Sequence, residues 1–181
     1  MPEQWCDGDN CFYRVIGPAW TSNMWYEEQI HLDGMVGEPG HFVLGLILAS
    51  DGGLLSKYSG DASINPLNMS LWNIDPRFRA CPSNGCWRSV AMLPEKLKYA
   101  ASTENPRKQE RLRANEIVQA VIRDVLYDLP RLHREGIRIL CPDGKWRIGH
   151  VQVVGWLADY MEVIKIFSIS KNSCPICQID P

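Results

Sequence analysis

A chain of 181 residues, 45% hydrophobic and 22% charged, fits one globular domain of ordinary size or a large piece of one. A net charge of −2 and a pI near 6.1 give no global basic field, so nucleic-acid binding would have to come from a local patch. No apolar run reaches the roughly 18 residues of a membrane helix, and the opening Met-Pro-Glu-Gln-Trp-Cys-Asp is no signal peptide, so the chain is expected to be soluble and intracellular.

Residues 1–40 are rich in Trp, Gly, Pro and acidic residues and show no sustained period. They are expected to be irregular, with a mobile end and a short helix around Trp25–Gln29. The stretch Phe42–Ser50 is almost wholly apolar or Gly, too short for a membrane span and of the right length for a strand buried on both faces. Asp51 stands where that strand emerges. A carboxylate there is a candidate catalytic group, although Asp51-Gly-Gly53 is also good turn chemistry.

Leu54–Tyr58 either continues this strand or pairs with it. Asn65–Ile74 alternates Leu67, Met69 and Leu71 and reads as a strand, with Pro66 at its start where a missing N–H is tolerated. Trp87–Leu93 reads as the next strand, closed by Pro94. Three strands joined by short turns predict an antiparallel meander. The charged stretch Lys96–Arg113 is a solvated linker or an exposed helix, and its basic residues are a possible nucleic-acid patch.

Val118, Val121, Ile122, Val125, Leu126 and Leu129 recur at spacings of three and four, which predicts the main helix, with Asn115 available as N-cap. It should weaken at Pro130 and stop by Gly136. A strand over Ile137–Leu140, a tight turn Cys141-Pro-Asp143-Gly144 and a returning segment Lys145–Ile148 follow. Val151–Ala158 reads as a second buried strand, and it too delivers a carboxylate, Asp159, at its exit. Two apolar strands ending in aspartate, with antiparallel strands and one helix between them, give the element order of an RNase H-like α/β fold. If they lie side by side, Asp51 and Asp159 offer hard oxygens suited to Mg²⁺. Two such ions roughly 3.5–4 Å apart activate a water or 3′-hydroxyl and stabilise the leaving oxygen of a phosphodiester.

The cysteines number seven, an odd count that with the lack of a signal segment points to thiols or metal ligands rather than a disulfide framework. Cys6/Cys11 and Cys81/Cys86 are loosely spaced for zinc and read as incidental thiols. Cys174-Pro-Ile-Cys177 is tighter and supplies half of a tetrahedral zinc site, with His150 or Cys141 as possible completing ligands.

Leu48-Ala-Ser-Asp51, Leu55-Ser-Lys-Tyr-Ser-Gly-Asp61, Asn73-Ile74, Cys141-Pro-Asp-Gly144, Leu157-Ala-Asp-Tyr160 and Asn172-Ser-Cys-Pro-Ile-Cys177 resemble, in order and spacing, the motifs of Plavaka-type transposases. These are fungal relatives of the CACTA cut-and-paste DNA transposases. The resemblance implies an RNase H-like nuclease core with an Asp, Asp, Glu triad, two Mg²⁺ ions, a zinc-binding insertion, DNA as partner, self-association and a nuclear location. By position Asp51 resembles the first acid and Asp159 the second, with Asp143 the competitor; a strand exit fixes a carboxylate better than a turn does. Cys174 and Cys177 resemble the first zinc half-site, and Asp61 fits the pattern as a turn cap.

The chain also departs from that pattern. It has Gly52-Gly53 where the family usually has Lys-Thr, Asn65-Pro-Leu-Asn68 where Trp-Pro-Val-Tyr is usual, and Met161-Glu-Val163 where Pro-Glu-Gln is usual. The resemblance places the third acid and the zinc histidines beyond Pro181. The expected organisation is therefore an irregular segment 1–40, a partial RNase H-like core 41–170, and the start of a zinc insertion 171–181. The expected function is that of a DNA transposase fragment inactive by itself. One alternative is a non-catalytic remnant that binds DNA or a protein partner. Another is an unrelated α/β enzyme with Cys141 as nucleophile and His133 or His150 as base.

Overall fold

A computed structural model describes residues 4–6, 12–14, 21–54, 63–94 and 104–169. Strands β1 (Gln4–Cys6) and β2 (Phe12–Arg14) form an antiparallel pair, and helix α1 (Asn23–Val36) follows. Next come β3 (His41–Ser50), β4 (Gly53–Leu54), β5 (Ser63–Ile64), β6 (Pro66–Leu71), a short α2 (Pro76–Arg79) and β7 (Arg88–Met92). Helices α3 (Glu104–Val125) and α4 (Leu129–Glu135), strands β8 (Ile137–Leu140) and β9 (Trp146–Leu157), and helix α5 (Tyr160–Phe167) complete the described elements. The fold is mixed α/β, with a five-stranded sheet in the order β7-β6-β3-β9-β8.

Strand direction follows from individual bonds. Near one end of β3 the Ile148 N–H donates to the Gly40 carbonyl at 3.0 Å; near the other, the Trp156 indole donates to Ser50 at 3.0 Å. Both strands advance together, so β3 and β9 are parallel. Trp72 donates to Gly45 at 2.7 Å while Gly53 pairs with Ile64, so β3 and β6 are antiparallel. β6 pairs antiparallel with β7, with a register shift between Leu67 and Asn68. The expected meander of three strands is therefore present.

Two compact units are distinguished along the chain: Met1–Ile47 with Ser70–Trp87 and Asp128–Val154, and Leu48–Met69 with Arg88–Tyr127 and Gly155–Pro181. In the first, Ser22 caps α1 by accepting the Trp25 N–H at 3.2 Å, and Gly37 ends it at φ 70°. Gln29 ties this helix to β3, donating to the His41 carbonyl at 3.2 Å and accepting the Val43 N–H at 3.0 Å. Gly45 permits the close approach: a Cβ there would lie 2.7 Å from the indole of Trp25. Asn73 adds a side-chain rung to β3, donating to the Val43 carbonyl and accepting from the Gly45 N–H, each at 2.9 Å.

In the second unit Leu48, Leu67 and Leu93 form a buried cluster, against which Val121, Ile122, Val125, Leu126 and Trp156 pack. This is the α3 face that the three-and-four spacing predicts. Each such leucine contributes about 1.5–3 kcal/mol through burial.

Several expectations are corrected. The short helix expected around Trp25–Gln29 is present, but it is part of a longer capped helix that fills most of residues 21–40, which are therefore not mainly irregular. The main helix starts at Glu104 rather than near Asn115, so residues 104–113 of the charged stretch belong to it, the exposed-helix alternative, while residues 96–103 lie outside the described residues. Arg, Lys, Gln and Glu are good helix formers, so charge alone does not signal a linker. The segments Lys145–Ile148 and Val151–Ala158 are one strand, β9, and its buried stretch is limited to Gly149–Val151. The first residues, 1–3, and the segments carrying Tyr58, Asp61, Cys174 and Cys177 lie outside the described residues.

Candidate functional site

Because β3 and β9 are parallel neighbours, their last residues leave the sheet at the same edge. Asp51 follows β3 and is exposed; Asp159 follows β9 by two residues and is exposed. The two exits are pinned together one step inside. Ser50, only 2% exposed, takes a hydrogen bond from the Trp156 indole at 3.0 Å. Its burial leaves the adjoining Asp51 at the point where the backbone meets solvent.

Asp159 has a second occupation that composition did not suggest. It is the N-cap of α5, with extended φ −71° and ψ 169°, and its Oδ1 accepts the Glu162 N–H at 2.7 Å. One carboxylate oxygen is thus held by the helix, which fixes the group's orientation, and among the described residues the other meets no donor. Glu162 does not reach back to complete a capping box. Its Oε1 accepts from Asn65 Nδ2 at 2.8 Å, and Lys165 Nζ lies 3.6 Å from the same oxygen. Asn65 is buried and donates through its amide; its backbone carbonyl accepts the Leu93 N–H at 2.7 Å, and its Oδ1 has no partner among the described residues. The side chains supporting the strand exits, Trp156, Asn65 and Glu162, were not anticipated. Asp159-x-x-Glu162 ahead of Val163, Ile164 and Ile166 is the sequence signal that predicts α5 and its cap.

Asp143 stands in the turn before β9, at the opposite end of that strand from Asp159. Arg147 grips both of its oxygens, at 2.8 and 2.7 Å, and the Lys145 N–H adds a third bond at 3.2 Å. The Arg147 guanidinium holds the Asp143 carboxyl below the usual carboxylate range. A carboxylate so fully engaged is a poorer metal ligand than one with open lone pairs.

The histidines proposed as bases or zinc ligands are engaged elsewhere. His150 Nδ1 meets the His133 carbonyl at 2.6 Å and its Nε2 meets His41 Nδ1 at 2.8 Å. His133 Nδ1 meets the Val151 carbonyl at 3.2 Å. Neither imidazole bonds to Cys141. An open groove of about 440 Å³ beside His31 and His133 contains none of the acids singled out above.

Among the described residues no three His, Cys, Asp or Glu side chains gather as a metal cage. Among the described residues no helix is long and apolar enough to cross a membrane.

Comparison with curated proteins gives no match, and comparison with solved structures gives none either. A family model described as Plavaka transposase matches residues 1–181, the whole chain. The chain therefore belongs to the Plavaka transposase family.

Proposed function

We propose that this chain carries two acids, Asp51 and Asp159, of a metal-dependent DNA strand-cleaving and strand-transferring centre on an RNase H-like core. The observation that supports this reading is the parallel adjacency of β3 and β9, which brings the two strand exits followed by Asp51 and Asp159 to one end of the sheet. A meander of three strands, a helix, and a strand laid parallel against the first make up the element order of that fold.

Asp51 and the open oxygen of Asp159 would hold Mg²⁺. When bound, the ion polarises the phosphodiester and lowers the pKa of the attacking water or 3′-hydroxyl. The protein's own task is positioning. Buried Ser50, held by Trp156, fixes the backbone that carries Asp51, and the α5 cap fixes the Asp159 rotamer. Two carboxylates alone bind such ions weakly, so activity of the isolated chain is expected to be low.

Mn²⁺ binding followed by electron paramagnetic resonance tests this directly, with nicking of supercoiled plasmid as the activity readout. Asp51→Asn and Asp159→Asn should each weaken Mn²⁺ binding. Asn is nearly as good an N-cap as Asp, so the second substitution removes charge without unfolding α5. Unchanged Mn²⁺ affinity in either variant defeats the assignment.

A further inference from the structure

Asn65 stands between the two strand exits. Its neighbour Ile64 pairs antiparallel with Gly53, so Asn65 lies one step further along, across from Gly52, which follows Asp51. Its backbone is fixed: Pro66 restricts it to extended conformations, and its carbonyl accepts the Leu93 N–H at 2.7 Å. From there its Nδ2 donates to Glu162 Oε1 at 2.8 Å, and the Glu162 N–H donates to Asp159 Oδ1 at 2.7 Å. Two hydrogen bonds therefore connect the residue beside the Asp51 turn to the carboxylate of Asp159. All of these residues lie in the second compact unit. The orientation of the amide follows from chemistry, because a carboxylate only accepts and the nitrogen must face Glu162. That orientation leaves Oδ1 in the interior with no partner among the described residues, on a side chain whose residue is 3% exposed. An apolar residue would fill this place without an unmet acceptor, so burial alone gives no reason for an amide; the bond to Glu162 does.

We propose that Asn65 is a positioning residue of the strand-exit centre: through Glu162 it sets where the Asp159 carboxylate stands relative to Asp51. The proposal rests on the reading of Asp51 and Asp159 as metal ligands. Gln119 of α3 donates to the Ile166 carbonyl and holds the far end of the eight-residue α5; Asn65 holds its first turn, the one that carries Asp159. In this role the Glu162 side chain is an acceptor for Asn65 and not itself a ligand. What matters is then the hydrogen bond it accepts, not its charge.

Mn²⁺ affinity by electron paramagnetic resonance, together with amide hydrogen exchange of the full chain in EDTA, tests it. Asn65→Ala and Glu162→Ala should each weaken Mn²⁺ binding about tenfold, the lower end for loss of a group that orients a metal ligand. Glu162→Gln, whose amide oxygen accepts the same bond, should recover most of what Glu162→Ala loses. Asn65→Asp sets one carboxylate against another and should lose as much as Asn65→Ala; adding Glu162→Gln to it restores the bond with donor and acceptor exchanged and should restore binding. In EDTA the Glu162 N–H should exchange faster in Asn65→Ala, while the Val163 N–H, bonded to the Asp159 carbonyl at 2.9 Å, reports that α5 is still formed. Equal losses in Glu162→Gln and Glu162→Ala overturn the proposal, as do a double variant that fails to recover or a Glu162 exchange rate that ignores Asn65→Ala. Mn²⁺ binding lost in Asp51→Asn but kept in Asn65→Ala overturns it while leaving the centre in place. Absence of Mn²⁺ binding by the unaltered chain removes the centre, and the role of Asn65 with it.

Discussion

The Trp156 indole donates to the buried hydroxyl of Ser50 across 3.0 Å, tying the residue before Asp51 to the residue three places before Asp159. Ser50 is 2% exposed, so its oxygen has no water to turn to when the indole is removed. Trp156→Phe keeps a ring against the Leu48, Leu67 and Leu93 cluster and deletes the donor. A stability loss of about 1–3 kcal/mol is expected in urea denaturation. If the bond also positions Asp51, Mn²⁺ affinity should fall in the same variant when measured well below its melting temperature. Ser50→Ala, which removes both the acceptor and its need for a partner, should cost less stability than Trp156→Phe.

Asp159 as a cap makes a second, separable prediction. Asp159→Ala removes the bond to the Glu162 N–H and should destabilise α5 by about 1 kcal/mol, whereas Asp159→Asn should cost a few tenths. Thermal melting compares the two. Equal melting temperatures for both variants would remove the cap from the account of this side chain.

How much of this was readable beforehand depends on the physical signal. Phe42–Ser50 was plain because an unbroken apolar run of that length can only be a central strand, and β3 is buried almost throughout. The α3 face was plain because Val121, Ile122 and Val125 keep helical spacing where they meet Leu48 and Leu67. Of α1 only the part around Trp25–Gln29 is legible, because its apolar residues do not form a stripe: Ile30 and Met35 are exposed, and the helix is fixed by Ser22, Gly37 and Gln29 instead. α5 is less legible although Asp159 and Glu162 have capping spacing, because Asp159 also closes an apolar strand and only eight residues follow in the helix. The pairing of β3 with β9 depends on contacts about a hundred residues apart, which no local pattern encodes.

Gly45 tests the packing of α1 on β3. Any Cβ there lies 2.7 and 2.9 Å from two carbons of the Trp25 indole and 3.1 Å from a Val154 methyl. Gly45→Ala should therefore destabilise by about 1–3 kcal/mol, as overpacking does. The double variant with Trp25→Leu should recover part of that loss, and a double-mutant cycle in urea measures it. A cycle with no coupling would show that the indole moves aside freely.

The Asp143–Arg147 pair carries a pH dependence whose sign is fixed by the lowered Asp143 value. A carboxyl depressed in the folded state contributes in full above its unfolded pKa, about 3.9, and loses that contribution as pH falls through the lower folded value. The hairpin turn should therefore loosen only in strong acid. Carboxyl carbon chemical shifts followed by NMR should give Asp143 a midpoint below the model-peptide value, and Arg147→Met should raise it. A midpoint that ignores the Arg147 substitution would mean the two groups part company in solution.

Cys81 offers the last prediction, because its surroundings favour the thiolate. Its Sγ lies 3.1 Å from the Ser83 hydroxyl, at the start of the short 3₁₀ turn Pro82–Asn84. The Ser83 hydroxyl, with the Ser83 and Asn84 backbone N–H groups adding to it, lowers the Cys81 pKa. A lowered thiol pKa raises the thiolate fraction near neutral pH, so Cys81 should be alkylated by iodoacetamide at lower pH than an ordinary cysteine. Mass spectrometry of the Cys81 peptide gives the pH profile. Ser83→Ala removes the largest of these donors and should move the midpoint upward while leaving the fold intact, since both residues are exposed. A profile identical in the two proteins would assign the lowering to the backbone donors alone, and a midpoint at the ordinary thiol value would remove it altogether.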